Sequence, residues 1–230
     1  MDAQITSLQL FTTLIHADFM TKLILILLLI MSLYSWALIF EKLFKFRLLS
    51  LKTSKFEKMF WSGDMLEDIY QKVKNNARCP SVVVFVSAMQ EWLNNDIQSI
   101  KKNNDNNKKE SLKDRLYDVM MVAGNRSIKK IKNGLNFLLI VGSVSTLFGL
   151  LGTVWGISSV FRAVSVVKEA TLSSIAPGIS TSLTTTIFGM TTAIPALVSY
   201  YVIRGKVKNY EDELNNFSLE ILNILSRELD

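Results

Sequence analysis

The chain has 230 residues, of which 49% are hydrophobic, and it carries 26 Lys and Arg residues against 20 Asp and Glu. Its mean hydropathy of +0.27 excludes a disordered protein, and its long uncharged runs are not those of an ordinary cytosolic enzyme. The single cysteine, Cys79, excludes an internal disulfide and a multi-cysteine metal site, and the single histidine, His16, excludes a His-x-x-x-His motif. We therefore predict no metal site and no cofactor.

Three runs of the sequence contain no Asp, Glu, Lys, Arg or His: 18 residues from Leu23 to Phe40, 29 residues at 133–161, and 34 residues at 170–203. A bilayer core of about 30 Å needs roughly 20 apolar residues of helix. The first run is longer than the apolar part of a signal peptide, so we interpret it as a retained membrane helix. We predict an all-α membrane protein with three transmembrane helices, at residues 23–40, 133–161 and 178–203.

The distribution of charge predicts the orientation of these helices. Residues 41–132 hold 19 Lys and Arg against 11 Asp and Glu, and many of the basic residues lie next to the ends of the apolar runs. Positive charge near membrane ends favours the cytoplasmic side. We therefore expect a cytoplasmic helical region at 41–132 and a cytoplasmic C-terminal helix at 204–230, with an N-terminal segment, 1–22, and a short connection, 162–177, outside. The excess of basic residues is then explained by the orientation of the helices in the membrane, and we expect no nucleic-acid ligand.

The region between the first two runs has a helical pattern with interruptions. The first helix is expected to continue past Phe40, because apolar residues mix with Lys at helical spacing there. The Asn- and Lys-rich stretch 94–110 is typical of a solvated loop, after which the pattern resumes at Ser111 and runs into the second transmembrane helix. Breaks are expected at two dipeptides, Ser62-Gly63 and Cys79-Pro80.

Small residues recur on one face of the second run, at steps of three and four. Such a face lets membrane helices approach one another closely, and two of the glycines form a GxxxG pair. We therefore predict that this face packs against a neighbouring helix. Its members are Gly142, Ser145, Gly149, Gly152 and Gly156.

The third run is rich in hydroxyl groups and contains two prolines. Lipid-facing surface does not need hydroxyls, so this helix is expected to face protein, an aqueous path, or both. Gly189 adds a small residue for packing. We expect Pro177 to start the helix, where its missing N–H costs little, and Pro195 to bend it. The hydroxyl residues are Ser180, Thr181, Ser182, Thr184, Thr185, Thr186, Thr191 and Thr192.

The three spans contain no Asp, Glu, Lys, Arg or His residue of their own. Charged or titratable groups inside a membrane mark proton and ion relays. If this chain takes part in proton transport, the carboxylate that carries the proton must come from a partner.

Several segments resemble the MotA/TolQ/ExbB proton-channel family, in its TolQ branch. The second run contains LFGLLGTVWGI at 147–157, and the third contains APGI at 176–179 followed by Thr186, Gly189 and AIPA at 193–196. Residues 60–71 and the connection 167–172 are also similar to that branch. The resemblance covers nearly the whole chain.

The resemblance implies an inner-membrane subunit of the Tol–Pal system of a Gram-negative cell, without enzymatic activity. Members of the family form homo-oligomers, with a pentamer expected, around a single-span partner, here TolR-like, whose membrane Asp takes up and releases protons. A TolA-like protein then transmits force to the outer membrane during division. By motif position, Thr153 and Thr186 are the threonines that would contact the partner's carboxylate, since a hydroxyl both donates and accepts.

One position departs from the family pattern. The family usually has a Glu five residues after the Ala of the APGI-like motif, and this chain has Thr181 there. We expect the remaining hydroxyls and water to suffice for conduction. Two other interpretations stay open: an ExbB-type subunit that energises TonB-dependent transport, and a non-conducting membrane scaffold whose hydroxyls only pack helices.

Overall fold

The computed structural model describes residues 18–76, 79–95, 106–167 and 171–229, and these ranges contain helices and no strand. The prediction of an all-α fold is confirmed. Three helical stretches, which include α1, α5 and α6, are apolar and long enough to cross a membrane. His16 and most of the N-terminal segment lie outside the described residues. The helices are α1 (Phe19–Phe60), α2 (Leu66–Val73), α3 (Pro80–Asn94), α4 (Asn106–Lys132), α5 (Leu135–Val167) and α6 (Leu172–Leu229), with a short 3₁₀ turn at Lys74–Asn76.

Helix α1 runs without interruption from the first apolar run into the charged sequence that follows it. The carboxylate of Asp18 accepts a hydrogen bond from the N–H of Phe19 at 2.9 Å. This bond satisfies one of the N–H groups that have no partner within the helix at its start. The helix ends at Phe60, and Gly63 adopts a φ of +86°, a conformation that favours glycine. The predicted continuation past Phe40 and the predicted break at Ser62-Gly63 are both confirmed.

The second predicted break is also confirmed. Cys79 is extended, with φ −115° and ψ 149°, and Pro80 is the first residue of α3, where a missing N–H has no helical partner to lose. The loop expected at 94–110 is wrong at its C-terminal end, because α4 begins at Asn106. Its interior, residues 96–105, lies outside the described residues. Lysine and glutamate near the start of α4 are good helix formers, so composition alone did not exclude a helix there.

The expected continuous helix from Ser111 into the second apolar run is wrong, because the chain turns at Asn133 and Gly134. Gly134 has a φ of +84°, which ends α4 and lets α5 begin at Leu135. The ammonium group of Lys42 donates to the carbonyl oxygens of Ile131 and Asn133, so it caps the end of α4 with positive charge.

Helix α6 begins at Leu172, so the expectation that Pro177 starts it is wrong. Pro177 lies five residues inside the helix, where its missing N–H forgoes a single bond to the carbonyl of Ser173. The connection expected at 162–177 is correspondingly shorter: residues 162–167 belong to α5, and residues 168–170 lie outside the described part of the chain. The helix also continues through Pro195.

The described residues form two compact units. The apolar unit contains residues 18–41, 134–167 and 171–202, and the charged unit contains residues 42–133 and 203–229 with the gaps given above. Within the apolar unit, the rings of Tyr34 and Phe137 meet edge to face at 4.6 Å.

The charged unit has the core of a water-soluble helical bundle. Helix α3 packs against α4, and large side chains on both, such as Met89 and Met120, are fully buried. Four aromatic rings meet at centroid distances of 5.0 to 6.3 Å, and such a cluster buries a large apolar area. The four rings belong to Phe56, Phe60, Phe85 and Phe217.

Candidate functional site

The candidate site lies in the apolar unit, where α5 and the first half of α6 touch backbone to backbone. A Cβ atom placed on Gly149 would lie 3.1 Å from the carbonyl oxygen of Thr185 and 3.2 Å from the Cα of Gly189. A Cβ on Gly189 would lie 2.7 Å from the carbonyl oxygen of Ser145, closer than real Cβ atoms come. Any side chain at Gly189 would therefore force the two helices apart.

The other predicted glycines of α5 face side chains of α6. A Cβ on Gly152 would meet the hydroxyl of Thr185, and one on Gly156 would meet the hydroxyl of Ser182. Gly142 lies against Leu197 in the same way. All five glycines selected from the sequence thus lie at close contacts between these two helices.

Two threonine hydroxyls of α6 bond to α5 through one carbonyl oxygen. The hydroxyl of Thr186 donates to the carbonyl oxygen of Gly149 at 3.0 Å. The hydroxyl of Thr185 lies 3.2 Å from the same oxygen and 2.7 Å from the carbonyl oxygen of Ser182, so its single proton is shared between them. These bonds fix α6 against α5 at the level of Gly149.

Thr153 lies on the same turn of α5. Its hydroxyl donates to the carbonyl oxygen of Leu150 at 2.7 Å, the carbonyl next to that of Gly149. Thr153 is 8% exposed within the chain, whereas Thr186 is partly exposed. The hydroxyls of Thr153 and Thr186 therefore bond to consecutive carbonyl oxygens of α5.

Thr181 is not part of this group. Its hydroxyl donates to the carbonyl oxygen of Pro177, one turn back on its own helix, at 2.9 Å. Thr191, one turn before Pro195, likewise donates to the carbonyl oxygen of Ile187 at 2.8 Å. Bonds of this kind stay within α6 and leave the hydroxyl oxygens able to accept from another molecule.

The structure also gives particular positions to two residues that the sequence named only as members of larger sets. Thr185 is fully buried and lies at the centre of the α5–α6 contact. Thr185 follows Ser182 by three residues and precedes Gly189 by four, and this spacing already indicates that the three residues share one face of α6. Ser145 has a buried hydroxyl with no hydrogen-bond partner among the described residues.

A second cluster ties the start of α1 to α5. The indole N–H of Trp155 donates to the carboxylate of Asp18 at 2.8 Å, and the guanidinium of Arg162 lies 5.3 Å from the Trp155 ring centre. The Trp155 side chain thus has a hydrogen-bonded N–H and a cation over its ring.

The charged unit contains a buried polar cluster of a different kind. The Tyr210 hydroxyl lies 2.8 Å from the Thr53 hydroxyl and 3.4 Å from that of Ser81. Burial raises the pKa of Tyr210 and of the nearby Cys79 thiol, so both groups are neutral at physiological pH. A neutral phenol and thiol that are satisfied by hydroxyls suit a structural role.

The described residues also contain no group of three or more His, Cys, Asp or Glu side chains that could hold a metal.

The sequence is similar to those of one known protein family. The family described as "MotA/TolQ/ExbB proton channel family" matches residues 84–216. The chain is 34% identical to the Tol-Pal system protein TolQ of Haemophilus influenzae, over 99% of this chain and 97% of the relative. It is 31% identical to TolQ of Pseudomonas aeruginosa, over 93% and 91% of the two chains. The biopolymer transport protein ExbB of Salmonella typhimurium is 26% identical, over 94% and 85%. The chain belongs to the MotA/TolQ/ExbB proton channel family.

Proposed function

We propose that this protein is a proton-channel subunit of the Tol–Pal system in a Gram-negative inner membrane and that it has no enzymatic activity. It works with a TolR-like single-span partner and a TolA-like protein, and it uses the proton motive force to support outer-membrane constriction and integrity during division. The observation that carries this proposal is the pair Thr153 and Thr186, whose hydroxyls bond to consecutive carbonyl oxygens of α5. The similarity to TolQ proteins over most of both chains supports the choice of system.

The two hydroxyls can form hydrogen bonds with a carboxylic acid of a partner in both of its protonation states. In the structure both hydroxyls donate to backbone carbonyls, so each oxygen presents lone pairs and can accept a hydrogen bond from a protonated carboxylic acid. When that acid releases its proton, a hydroxyl can rotate away from its carbonyl and donate to the carboxylate instead. The pair can therefore contact both forms of the acid.

The acid must belong to the partner. The uncharged runs 133–161 and 170–203 contribute no Asp, Glu or His side chain. A single-span protein with an aspartate at membrane depth would supply the missing group. An unpaired charge there is costly, which favours its approach to a hydroxylated surface.

We further propose that the chain forms a homo-oligomer, with a pentamer expected from the family, and that its N-terminus lies outside and its C-terminus in the cytoplasm. Large apolar side chains of α1 beyond the membrane run remain exposed in the single chain, and burial against a second copy would remove them from water. The basic residues of 41–132 support the orientation. The exposed side chains are Phe44, Leu48 and Leu51.

Thr181 replaces the family's usual carboxylate, and we propose that conduction proceeds without one. Its hydroxyl is already bonded to the carbonyl of Pro177, and it lies apart from the hydroxyl pair. Vesicles that hold this chain and its partner should take up protons. If they did not, and Thr181→Glu restored uptake, this part of the proposal would be wrong.

Two other functions have some support. The similarity to ExbB of Salmonella typhimurium favours an ExbB-type subunit, which a neighbouring gene for a TonB-like rather than a TolA-like protein would indicate. The bonds of Thr186 and Thr185 to the backbone of α5 favour a scaffold whose hydroxyls only pack helices.

A substitution experiment separates a proton path from a scaffold. Thr153→Val and Thr186→Val keep side-chain volume and remove the hydroxyls. We expect both variants to assemble with the single-span partner but to lose detergent resistance and normal cell separation. Thr184→Val is the matched control, because its hydroxyl bonds within α6, to the carbonyl of Ser180 at 2.9 Å. Normal envelopes in the first two variants would support the scaffold instead.

Copurification tests the partner. The complex, extracted from membranes in mild detergent, should contain a single-span protein with an aspartate in its membrane segment. If no such protein accompanies the chain, the proposed function fails.

A further inference from the structure

A pocket in the charged unit combines lysines with apolar walls, and nothing in the proposed function uses it. It has a volume of about 260 Å³. Helices α1, α4 and α6 all contribute to it, and none of the lining residues is acidic. The basic residues of the lining are Lys42, Lys45 and Lys130.

The lysines have different positions in the pocket. Lys42 is 9% exposed, and its ammonium group is held by the carbonyl oxygens of Ile131 and Asn133. It therefore adds a fixed positive charge to the pocket wall. Lys45 and Lys130 are exposed and lie on different helices, α1 and α4. An anionic group in the pocket would be approached by cations from two sides.

The rest of the lining is apolar and ordered. Ile203 is 2% exposed, and the Phe46 ring lies against Tyr210 at 6.3 Å between centroids. Leu49 and Ile131 complete the wall. A pocket with a basic rim and an apolar wall matches an amphipathic ligand better than a fully hydrated ion.

The position of the pocket along the chain points to the membrane surface. Lys42 is two residues beyond the end of the first uncharged run, Lys130 is three residues before the second, and Ile203 is the last residue of the third. The pocket is thus formed where all three apolar runs end. Lipid headgroups lie at this level, and basic pockets between membrane helices bind anionic ones.

We propose that this pocket binds the phosphate headgroup of an anionic phospholipid of the phosphatidylglycerol class. The lysine ammonium groups pair with the phosphate, and Phe46 and Ile203 contact the first carbons of the lipid. Zwitterionic phosphatidylethanolamine binds more weakly, because its own ammonium group opposes the lysines. Such a lipid would link α1, α4 and α6 at the membrane surface, whether or not protons flow.

The test measures lipid retained by the purified complex in micelles that contain equal amounts of phosphatidylglycerol and phosphatidylethanolamine, by native mass spectrometry. Wild type should retain phosphatidylglycerol preferentially. Each of Lys45→Gln and Lys130→Gln should weaken its binding about 5-fold, and the double variant about 30-fold. Lys45→Arg with Lys130→Arg keeps both charges and should bind like wild type.

The matched control removes the same charge elsewhere. Lys129→Gln with Lys58→Gln removes two exposed lysines that do not line the pocket, and it should change binding by less than about 2-fold. An equal loss in this control would overturn the proposal, because the effect would then be that of the whole basic surface.

Two further measurements distinguish an anionic lipid from other occupants of the pocket. The melting temperature of wild type should rise with added phosphatidylglycerol and not with inorganic phosphate or phosphatidylethanolamine. A rise with inorganic phosphate alone would indicate a site for a soluble anion and would overturn the proposal. The proposal would also be overturned if the variant with both Lys45→Gln and Lys130→Gln kept its lipid but changed its oligomeric mass. That result would mean that a second copy of the chain fills the pocket.

Discussion

The two units of this protein hold their helices together in opposite ways. In the charged unit, Phe85 and its aromatic neighbours fill the space between helices with large buried side chains. In the apolar unit, α5 and α6 meet at Gly149 and Gly189, where an added Cβ atom would lie 3.1 Å and 2.7 Å, respectively, from the facing backbone. Both contacts are tight, but only the one in the charged unit is filled by large side chains.

The difference follows from the solvent of each unit. Burial of a large apolar side chain is favourable when the alternative is water, by about 25 cal/mol per Å². Lipid tails are as apolar as leucine, so that gain is missing inside a bilayer, and close backbone contact and hydrogen bonds take its place. The two units should therefore respond differently to the same kind of substitution.

The largest effect is expected in the aromatic core of the charged unit. Phe85 is fully buried, and Phe85→Ala should lower the free energy of unfolding by about 3–5 kcal/mol, because it leaves a cavity among three other rings. Urea denaturation of the detergent-solubilised chain measures this. Met65→Ala removes a side chain that is 74% exposed and should cost less than about 0.5 kcal/mol. Similar losses for both would contradict the assigned core.

The apolar unit should instead be sensitive to added bulk. Gly189→Ala places a methyl group against the carbonyl of Ser145 and should destabilise the α5–α6 contact by about 2–3 kcal/mol. Hydrogen exchange of the amides near residue 189 measures it. Gly205→Ala, in the same helix, meets nothing within 4 Å and should stabilise by about 0.5–1 kcal/mol. If Gly189→Ala were as harmless, the helices would not be in contact there.

A smaller effect is expected at the cluster that ties α1 to α5. Trp155→Phe keeps an aromatic ring but removes the donor to Asp18, which should cost about 1 kcal/mol. Faster hydrogen exchange at the first turn of α1 is the expected signature. Trp61→Phe, at an exposed tryptophan of the charged unit, should leave that turn unchanged.

The smallest effect depends on pH. Burial raises the pKa of Glu57 above its ordinary value, and the negative charges of Glu213 and Glu220 raise it further. The folded chain therefore holds this proton more tightly than the unfolded chain, and the resulting stability is lost as pH rises through the folded pKa. At pH 7, Glu57→Gln should raise the melting temperature by about 1–2 °C.

The same gain should vanish below about pH 3, where the carboxyl is protonated in both states. Glu110→Gln, at an exposed glutamate of α4, is the control and should give no gain that depends on pH in this way. A gain from Glu57→Gln that persists at low pH would mean that charge is not its cause.

Sequence patterns predicted the features that depend on spacing along one helix. The glycine face of α5 and the break before Pro80 were visible because each follows from a short local pattern. The break at Gly134 was not visible, since Lys42, 91 residues away, donates to the carbonyl oxygen of Asn133 at that turn. The start of α6 before Pro177 was not visible either, because a proline in the early turns of a helix forgoes only one hydrogen bond. The central position of Thr185 depends on how α6 is rotated against α5, which no single helix specifies.

Proton flux into liposomes is the most direct test of the central claim, that a hydroxyl pair on α5 and α6 serves a proton-carrying acid from a partner. With the chain and its single-span partner reconstituted together, a potassium diffusion potential should drive proton uptake that an internal pH dye reports. Thr186→Val should reduce uptake by about tenfold or more, and Thr184→Val should leave it unchanged. Unchanged uptake in Thr186→Val, or full uptake without the partner, would contradict the account.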